Sequence, residues 1–448
     1  MNKITKNEKI VVKNIAGAFI VKGLALVLSL FTTPAYIHYF NNNVRLGLWF
    51  TLLSILSWIL SFDLGIGNGL RNKLTIVLSN QDDLKAKKLI SSAYISIGVI
   101  SIAAIVIFGV VVNFVNWNIV FNVDYGIATS EGLKITVFIV FSGIMLQFFF
   151  KLINSIIYSL QKSSINNFLS LITSVLIFVF VRFTHGGGSD DDLIVMGIVH
   201  SLAVIIPLIV ASMFVFIKPL KKVRPSFSFF DKVSMKEILT LGGTFFIIQG
   251  LYMVIISTND YLITLFVGSE SVVDYQIYYR FFSLGSTAFM LALTPIWSIV
   301  TKAINEKDYD WTKKMYKRML WLSVIATFCE FCIVFIIQWL INLFYGQDAI
   351  QVDYIIAISF ALFGSLMIFN SSFSCITNGM GKLKCQAISF GIGAAIKIPI
   401  SFLLVSILSS WVGVVIATCI CLLIYCLLEP FYIRKILLKY SNEKNEQV

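Results

Sequence analysis

"FDLGIGNGLRNKL", residues 62–74, puts three glycines at alternate positions (Gly65, Gly67 and Gly69) between Asp63 and the cations Arg71 and Lys73. Such a stretch reads either as a phosphate-cradling loop or as the end of a membrane helix. The spacing G-x-G-x-G lacks the third-glycine offset of the dinucleotide fingerprint, which also needs a short strand ahead of it. What precedes it instead is an apolar run from residue 46 onward. The loop reading therefore fails. The helix reading places Asp63 still at membrane depth, makes Gly65 and Gly69 a small-x-x-x-small pair for close packing or a hinge, and brings Arg71 and Lys73 to the headgroups.

The rest of the chain agrees. Its 448 residues are 58% hydrophobic and 13% charged, against about 45–50% and about 25% in soluble domains. A helix needs about 20 predominantly apolar residues to span a bilayer. Twelve such stretches follow one another: 14–40, 46–69, 88–115, 133–158, 165–183, 193–217, 237–267, 273–301, 318–345, 351–377, 385–408 and 411–433. The expected fold is all-α, a polytopic membrane protein. The first stretch is too long for a cleaved signal peptide and lacks a small-residue cleavage site, so it reads as a helix.

The net charge of +12 is a matter of topology. Outer connectors hold only Arg45, Lys134 and Arg182, together with the acids Asp124, Glu131, Asp190, Asp191, Asp192, Glu270, Asp274, Asp348 and Asp353. The termini and the even connectors carry the basic clusters, among them Lys85, Lys87, Lys88, Lys221, Lys222, Arg224 and the run from Lys302 to Arg318. The positive-inside rule then puts both termini in the cytoplasm. An even number of spans requires the same. Nucleic acid is not an expected partner.

An internal repeat divides the chain. "FIVKGLALV" (19–27) matches "FIIQGLYMV" (246–254) at an offset of 227, which also pairs Asp83 with Asp310 and Lys87 with Lys314. Later the offset falls to 216, where "INSIIYSLQKSS" (153–164) resembles "FNSSFSCITNGM" (369–380) and Asn154 faces Asn370. Two parallel six-helix lobes, 1–216 and 237–433, follow, related by a pseudo-twofold axis along the membrane normal with a substrate site between them. Residues 217–236 form a basic cytoplasmic linker with a short interfacial helix from Phe227, and 434–448 a cytoplasmic tail. No connector is large enough for a separate catalytic domain.

Charges inside spans are the informative positions, because they are costly there and usually face a bundle interior or a cavity. Four are cations: Lys22, Lys151 (four residues after Gln147 on one helical face), Arg280 in "YQIYYRFF", and Lys397 in "AAIKIPI". Lys22 and Lys151 read either as cavity residues or as side chains snorkelling to the headgroups. The acids are Asp63, Asp260 and Glu330, with Asp260 and Arg280 at similar depth and able to form an ion pair. Glu429 lies near the inner end of the last span and reads as interfacial. Cys329 and Cys332 form a C-x-x-C inside an apolar helix, where core packing is the expectation. His38, His185 and His200 are scattered. The nucleotide-loop, zinc-protease and serine-hydrolase motifs are all missing.

Together, residues 62–73, the twelve spans, the six-helix repeat and the basic linker resemble the polysaccharide transporters of the multidrug/oligosaccharidyl-lipid/polysaccharide exporter superfamily, particularly Wzx-type O-antigen flippases. The resemblance implies a V-shaped pair of lobes in a bacterial inner membrane, opening alternately to each side. It implies a substrate, an oligosaccharide on undecaprenyl pyrophosphate, moved from the cytoplasmic to the periplasmic leaflet in exchange for protons or other cations. On that reading Lys22, Lys151, Arg280 and Lys397 form a cationic cavity for the pyrophosphate. Asp63, Asp260 and Glu330 are the coupling or ion-pair acids, and sugar passes near Tyr275, Tyr278 and Tyr279. Membrane lipids and the O-antigen polymerase and chain-length machinery are the implied partners, with no cofactor, metal or enzymatic step. A drug or sodium antiporter of the same superfamily would favour an acidic cavity. A membrane glycan polymerase would usually carry a large periplasmic loop.

Overall fold

The computed structural model describes residues 35–61, 65–121, 123, 125, 126, 128–187, 191–268, 270–345 and 350–445, with scattered positions between 17 and 32. Lys22 and Asp63 lie outside the described residues. Every regular element among the described residues is helical, the outcome a bilayer imposes on single spans, since every backbone polar group must be satisfied within the segment. Ten of these helices are long and apolar enough to cross a membrane. The expected spans 14–40 and 46–69, which include residues outside the described set, are not among the ten.

Internal contacts divide the chain into two units, 1–243 and 244–448. The first contains α1 (Asn43–Ser61), α2 (Ile66–Ser79), α3 (Asp83–Val111), the short α4 (Trp117–Phe121), α5 (Ser130–Ser159), α6 (Ser163–Phe183) and α7 (Asp191–Ile217). α8 (Lys232–Ile256) starts in the first unit and ends in the second. The second continues with α9 (Asn259–Phe266), α10 (Glu270–Asn305), α11 (Tyr309–Tyr345), α12 (Tyr354–Met380), α13 (Lys384–Leu408) and α14 (Val412–Asn445). In the first unit α5 is central, touching α1, α2, α3, α6 and α7. In the second α12 packs against α10, α11 and α14, and α13 lies along α14. Outer faces are apolar: Phe328, Phe335 and Trp339 on α11 and Phe402 on α13 are all exposed. That inversion of the soluble pattern is what a lipid solvent allows.

The two units repeat the same turns. Between α2 and α3, Gln81 adopts φ 58° and Asp82 N–H donates to Val77 O at 3.2 Å; between α10 and α11, Lys307 adopts φ 57° and Asp308 N–H donates to Ala303 O at 2.8 Å. Each aspartate then caps the next helix, Asp82 Oδ1 accepting from Lys85 N (2.9 Å) and Asp308 Oδ1 from Trp311 N (3.1 Å). Every one of these pairs is 226 residues apart. A second turn recurs 220 residues apart: Gln161 (φ 60°) and Gly381 (φ 65°), followed by Lys162 N to Ile157 O at 3.1 Å and Lys382 N to Thr377 O at 3.0 Å. These bonds correct the register. Asp82, not Asp83, is the counterpart in the first turn, and at the second the offset is 220, so Asn154 corresponds to Ser374 and not to Asn370. Apolar side chains fit either register, which is why the sequence match slipped.

The 62–74 stretch also differs from a continuous helix. Gly65 has φ 66° and stands at the N-cap of α2, a left-handed conformation that ends an α-helix and that glycine adopts without a Cβ penalty. The glycines open a new, largely buried helix. A Cβ on Gly69 would meet Ile238 O at 2.5 Å and Gly242 N at 3.0 Å, so α2 presses on the first turns of α8 backbone to backbone. Arg71, expected among headgroups, is 3% exposed with its guanidinium 4.4 Å from the centroid of the Tyr158 ring. Lys73 instead pairs with Glu237 at 3.3 Å, and Lys85 reaches the other Glu237 oxygen at 3.0 Å.

The linker is bound to the first unit. It forms two 3-10 turns, Lys221–Val223 and Phe227–Phe229, in place of the expected interfacial helix. Ser91 Oγ accepts from Ser226 N (3.0 Å), Ser92 Oγ from Asp231 N (2.9 Å), and Lys87 lies 3.8 Å from the centroid of the Phe229 ring. Hydrogen bonds from the Ser234 side chain and backbone hold the Asp231 carboxyl below the usual carboxylate range, with Lys88 and Lys85 adding to them.

Candidate functional site

Among the described residues, three fully enclosed lysine or glutamate side chains lie in the second unit: Lys397, Glu330 and Glu429. Lys397 on α13 is 0% exposed. Its Nζ donates to Val414 O at 3.0 Å and to Thr418 Oγ1, both on α14. The Thr418 hydroxyl has Asn259 Oδ1 at 3.0 Å and Val414 O at 2.9 Å within reach of its one hydrogen. Asn259 Nδ2 donates in turn to the Tyr275 hydroxyl at 3.1 Å. One polar chain therefore joins α13, α14, α9 and α10. It contains an ammonium and no carboxylate, an arrangement that is expensive to bury.

Glu330, on α11, is 1% exposed, and neither carboxylate oxygen has a hydrogen-bond partner among the described residues. Space for it comes from two glycines. A Cβ on Gly285 of α10 would collide with Glu330 Oε1, and one on Gly364 of α12 would meet Glu330 Cδ and Oε2 at 3.0 Å. The sequence signal was available in principle: two small residues on the helices flanking a mid-span acid.

Glu429 corrects the interfacial reading. α14 continues to Asn445, well beyond the expected end at 433, so Glu429 is not at a helix terminus. It is 0% exposed, neither oxygen has a hydrogen-bond partner among the described residues, and Thr377 and Cys385 are among the polar side chains facing it.

Other expected site residues are placed differently. Arg280 is exposed, and it makes no ion pair with Asp260, which instead accepts from Gln276 Nε2 at 2.7 Å. Tyr275 and Tyr278 are buried, Tyr278 stacking on Phe360 with centroids 5.4 Å apart and accepting from Asp353 N at 2.9 Å. Tyr279 stacks on Tyr275 and is only half-buried. In the first unit Lys151 is half-buried on α5. Cys329 and Cys332 are exposed on the outer face of α11, not packed in a core. His38 and His185, far apart in sequence, meet with ring centroids 4.6 Å apart. Among the described residues no group of three or more His, Cys, Asp or Glu could hold a metal.

This arrangement of helices is found in solved transporters. A structure described as the outward-facing conformation of a multidrug-resistance MATE family transporter of the MOP superfamily matches 98% of this chain and 99% of its own, with TM-score 0.76 at 16% identity. The chain has the MATE-type fold. A second MATE structure, in a straight conformation, superposes on 98% of each chain with TM-score 0.74 at 14% identity. A MOP superfamily transporter from Pyrococcus furiosus, described as having a binding pocket of reversed polarity that suggests a different function, covers 98% of this chain and 100% of its own with TM-score 0.74 at 15% identity. In sequence, a Yersinia pseudotuberculosis protein named "Putative O-antigen export protein" is 22% identical over 343 residues, 75% of this chain and 76% of that protein. No protein-family model matches the chain. The likeness to that export protein agrees with the Wzx-type resemblance read from the sequence.

Proposed function

We propose that this MATE-type chain is a flippase for an oligosaccharide carried on undecaprenyl pyrophosphate, moving it from the cytoplasmic to the periplasmic leaflet of a bacterial inner membrane by alternating access. The observation that carries the reading is the similarity to an O-antigen export protein over three quarters of the chain. The chemistry of the substrate fits. A pyrophosphate is a strong anion, and cations within the spans can replace part of its hydration. Arg280 is exposed and available for that role; Lys22 and Lys151 are assigned to the same cationic surface. Lys397 is enclosed here, so its contribution requires a conformer in which α13 and α14 part around it. Coupling to protons or another cation falls to Glu330, Asp260 and Asp63, and Glu429 joins them because, like Glu330, it is buried with no hydrogen-bond partner among the described residues. The basic connectors put both termini in the cytoplasm.

The test is genetic and chemical. In a strain lacking this protein, the lipid-linked oligosaccharide accumulates in the inner leaflet and surface polysaccharide is lost, and the wild-type gene restores it. Arg280→Ala and Lys397→Ala proteins insert normally yet fail to restore it. Full complementation by both would remove the cationic-cavity mechanism. Export of organic cations with surface glycan intact would favour a drug antiporter instead.

A further inference from the structure

Between α11 and α14 of the second unit lies a groove of about 510 Å³ to which Lys313, Lys317 and Arg434 contribute their side chains. Its orientation is fixed by two contacts. At one end Tyr309 stacks on Tyr440, centroids 5.1 Å apart and planes 15° from parallel; at the other, Leu320 of α11 and Pro430 of α14 line the same groove. The helices therefore run antiparallel alongside it, from the basic ends inward. Tyrosine is the residue type that settles at headgroup level. Leu320 is eleven residues from Tyr309, about 16 Å deeper along the axis at 1.5 Å per residue.

Polarity changes along that depth. Lys313 and Lys317 stand one and two turns below Tyr309 on the same face of α11, and Arg434 lies across from them on α14. None of the three makes an ion pair among the described residues. Deeper in, the surface is Leu320, Pro430 and Phe431, with Phe431 74% exposed, while Leu437 and Leu438 line the groove beside the cations at the end near Tyr440. Cations near the water and an apolar floor toward the bilayer centre match a molecule with an anionic phosphate at one end and hydrocarbon at the other. The volume is within the range of small-molecule pockets, ample for a glycerophosphate and its first methylenes and too small for several sugars.

We propose that this groove binds one anionic glycerophospholipid of the leaflet at the basic end of the helices, its phosphate against Lys313, Lys317 and Arg434 and its chains along Leu320 and Phe431. The proposal shares with the flippase reading only the placement of the basic connectors at one membrane face, so a flippase that binds no such lipid, or a lipid site on a protein that flips nothing, is separately visible.

The experiment uses the full-length protein in nanodiscs of phosphatidylcholine with a minor fraction of phosphatidylglycerol, and counts retained lipid by native mass spectrometry. One phosphatidylglycerol is expected to be retained in preference to phosphatidylcholine. Each cation removed among Lys313→Ser, Lys317→Ser and Arg434→Ser should weaken retention about fivefold. Lys313→Arg with Lys317→Arg should keep it. Lys382→Ser with Lys384→Ser, exposed cations at the same end but outside the groove, should leave it unchanged, which separates a built site from general attraction to anionic lipid. Thermal unfolding of the triple variant in detergent, expected near wild type, checks that it folds; should it not fold, the single variants carry the test. Equal retention by wild type and the single or triple variants overturns the proposal, as does equal loss in the control pair. Displacement by undecaprenyl phosphate, or by inorganic phosphate alone, would mean a different occupant and also overturns it.

Discussion

Glu330 stands where a side chain on Gly285 would have to be: a Cβ on that glycine collides with Glu330 Oε1. The carboxylate is held in the middle of a helix bundle by absence of bulk on its neighbour, with Gly364 clearing the other side. Gly285→Ala is therefore expected to cost about 1–3 kcal/mol, the usual range for overpacking, read as a lower melting temperature in detergent. Combining it with Glu330→Ala should recover part of the loss, since the clashing atoms are gone. Strict additivity of the two changes would show that they do not share the space.

Lys397 makes a different forecast. Replacing a buried charge by an apolar side chain of similar volume is often neutral or stabilising. Lys397→Met should therefore unfold at the wild-type temperature or above while export of surface polysaccharide falls by at least about tenfold, the equivalent of about 1.4 kcal/mol. Thr418→Val, which removes a partner of both Lys397 and Asn259, should cost about 1–3 kcal/mol because buried polar groups lose their bond. A Lys397→Met protein with normal export would reduce the ammonium to a packing element.

The linker should loosen in acid. The Asp231 carboxyl is held below its usual range by Ser234, with Lys88 and Lys85 assisting. A depressed carboxylate contributes stability above its unfolded pKa, and that contribution is lost as pH falls through the folded value. Hydrogen exchange across 217–231 should accelerate only below the ordinary carboxylate range, about pH 4, and Asp231→Asn should exchange faster already at neutral pH. Acceleration near pH 6 would point to another group.

Lys307 adopts φ 57° in the α10–α11 turn, where the chain uses glycine at the corresponding position of the α12–α13 turn, Gly381. A left-handed conformation costs a non-glycine residue about 1–2 kcal/mol. Lys307→Gly should raise stability by up to about 1 kcal/mol, net of the added freedom of the unfolded chain. A lower melting temperature would mean that the lysine side chain contributes more than the strain removes.

How much of this was legible depended on the type of signal. Apolar run length located the helices, and the deep acids and cations stood out because a bilayer penalises them. Helix breaks did not: nothing in FDLGIGNGLRNKL distinguishes a packing glycine inside a helix from Gly65 at a left-handed cap, since both need the same residue. Arg71 read as a headgroup anchor because its partner, Tyr158, is remote in sequence. Glu429 read as interfacial because the apolar run ends soon after it, whereas its burial comes from helices carrying Thr377 and Cys385 that are remote in sequence. The repeat was visible, but its register was decided by backbone bonds around Gln81 and Lys307 that side-chain identity does not encode.

The most direct test of the flippase reading is translocation by the purified protein. In proteoliposomes holding a fluorescent undecaprenyl-pyrophosphate-linked oligosaccharide, the fraction shielded from a membrane-impermeant quencher reports its leaflet. Protein-dependent movement is expected that quickens when an opposing proton gradient is imposed, is lost with Arg280→Ala, and loses its gradient dependence with Glu330→Gln. Translocation no faster than in protein-free liposomes, from a preparation that does transport an organic cation, would contradict it.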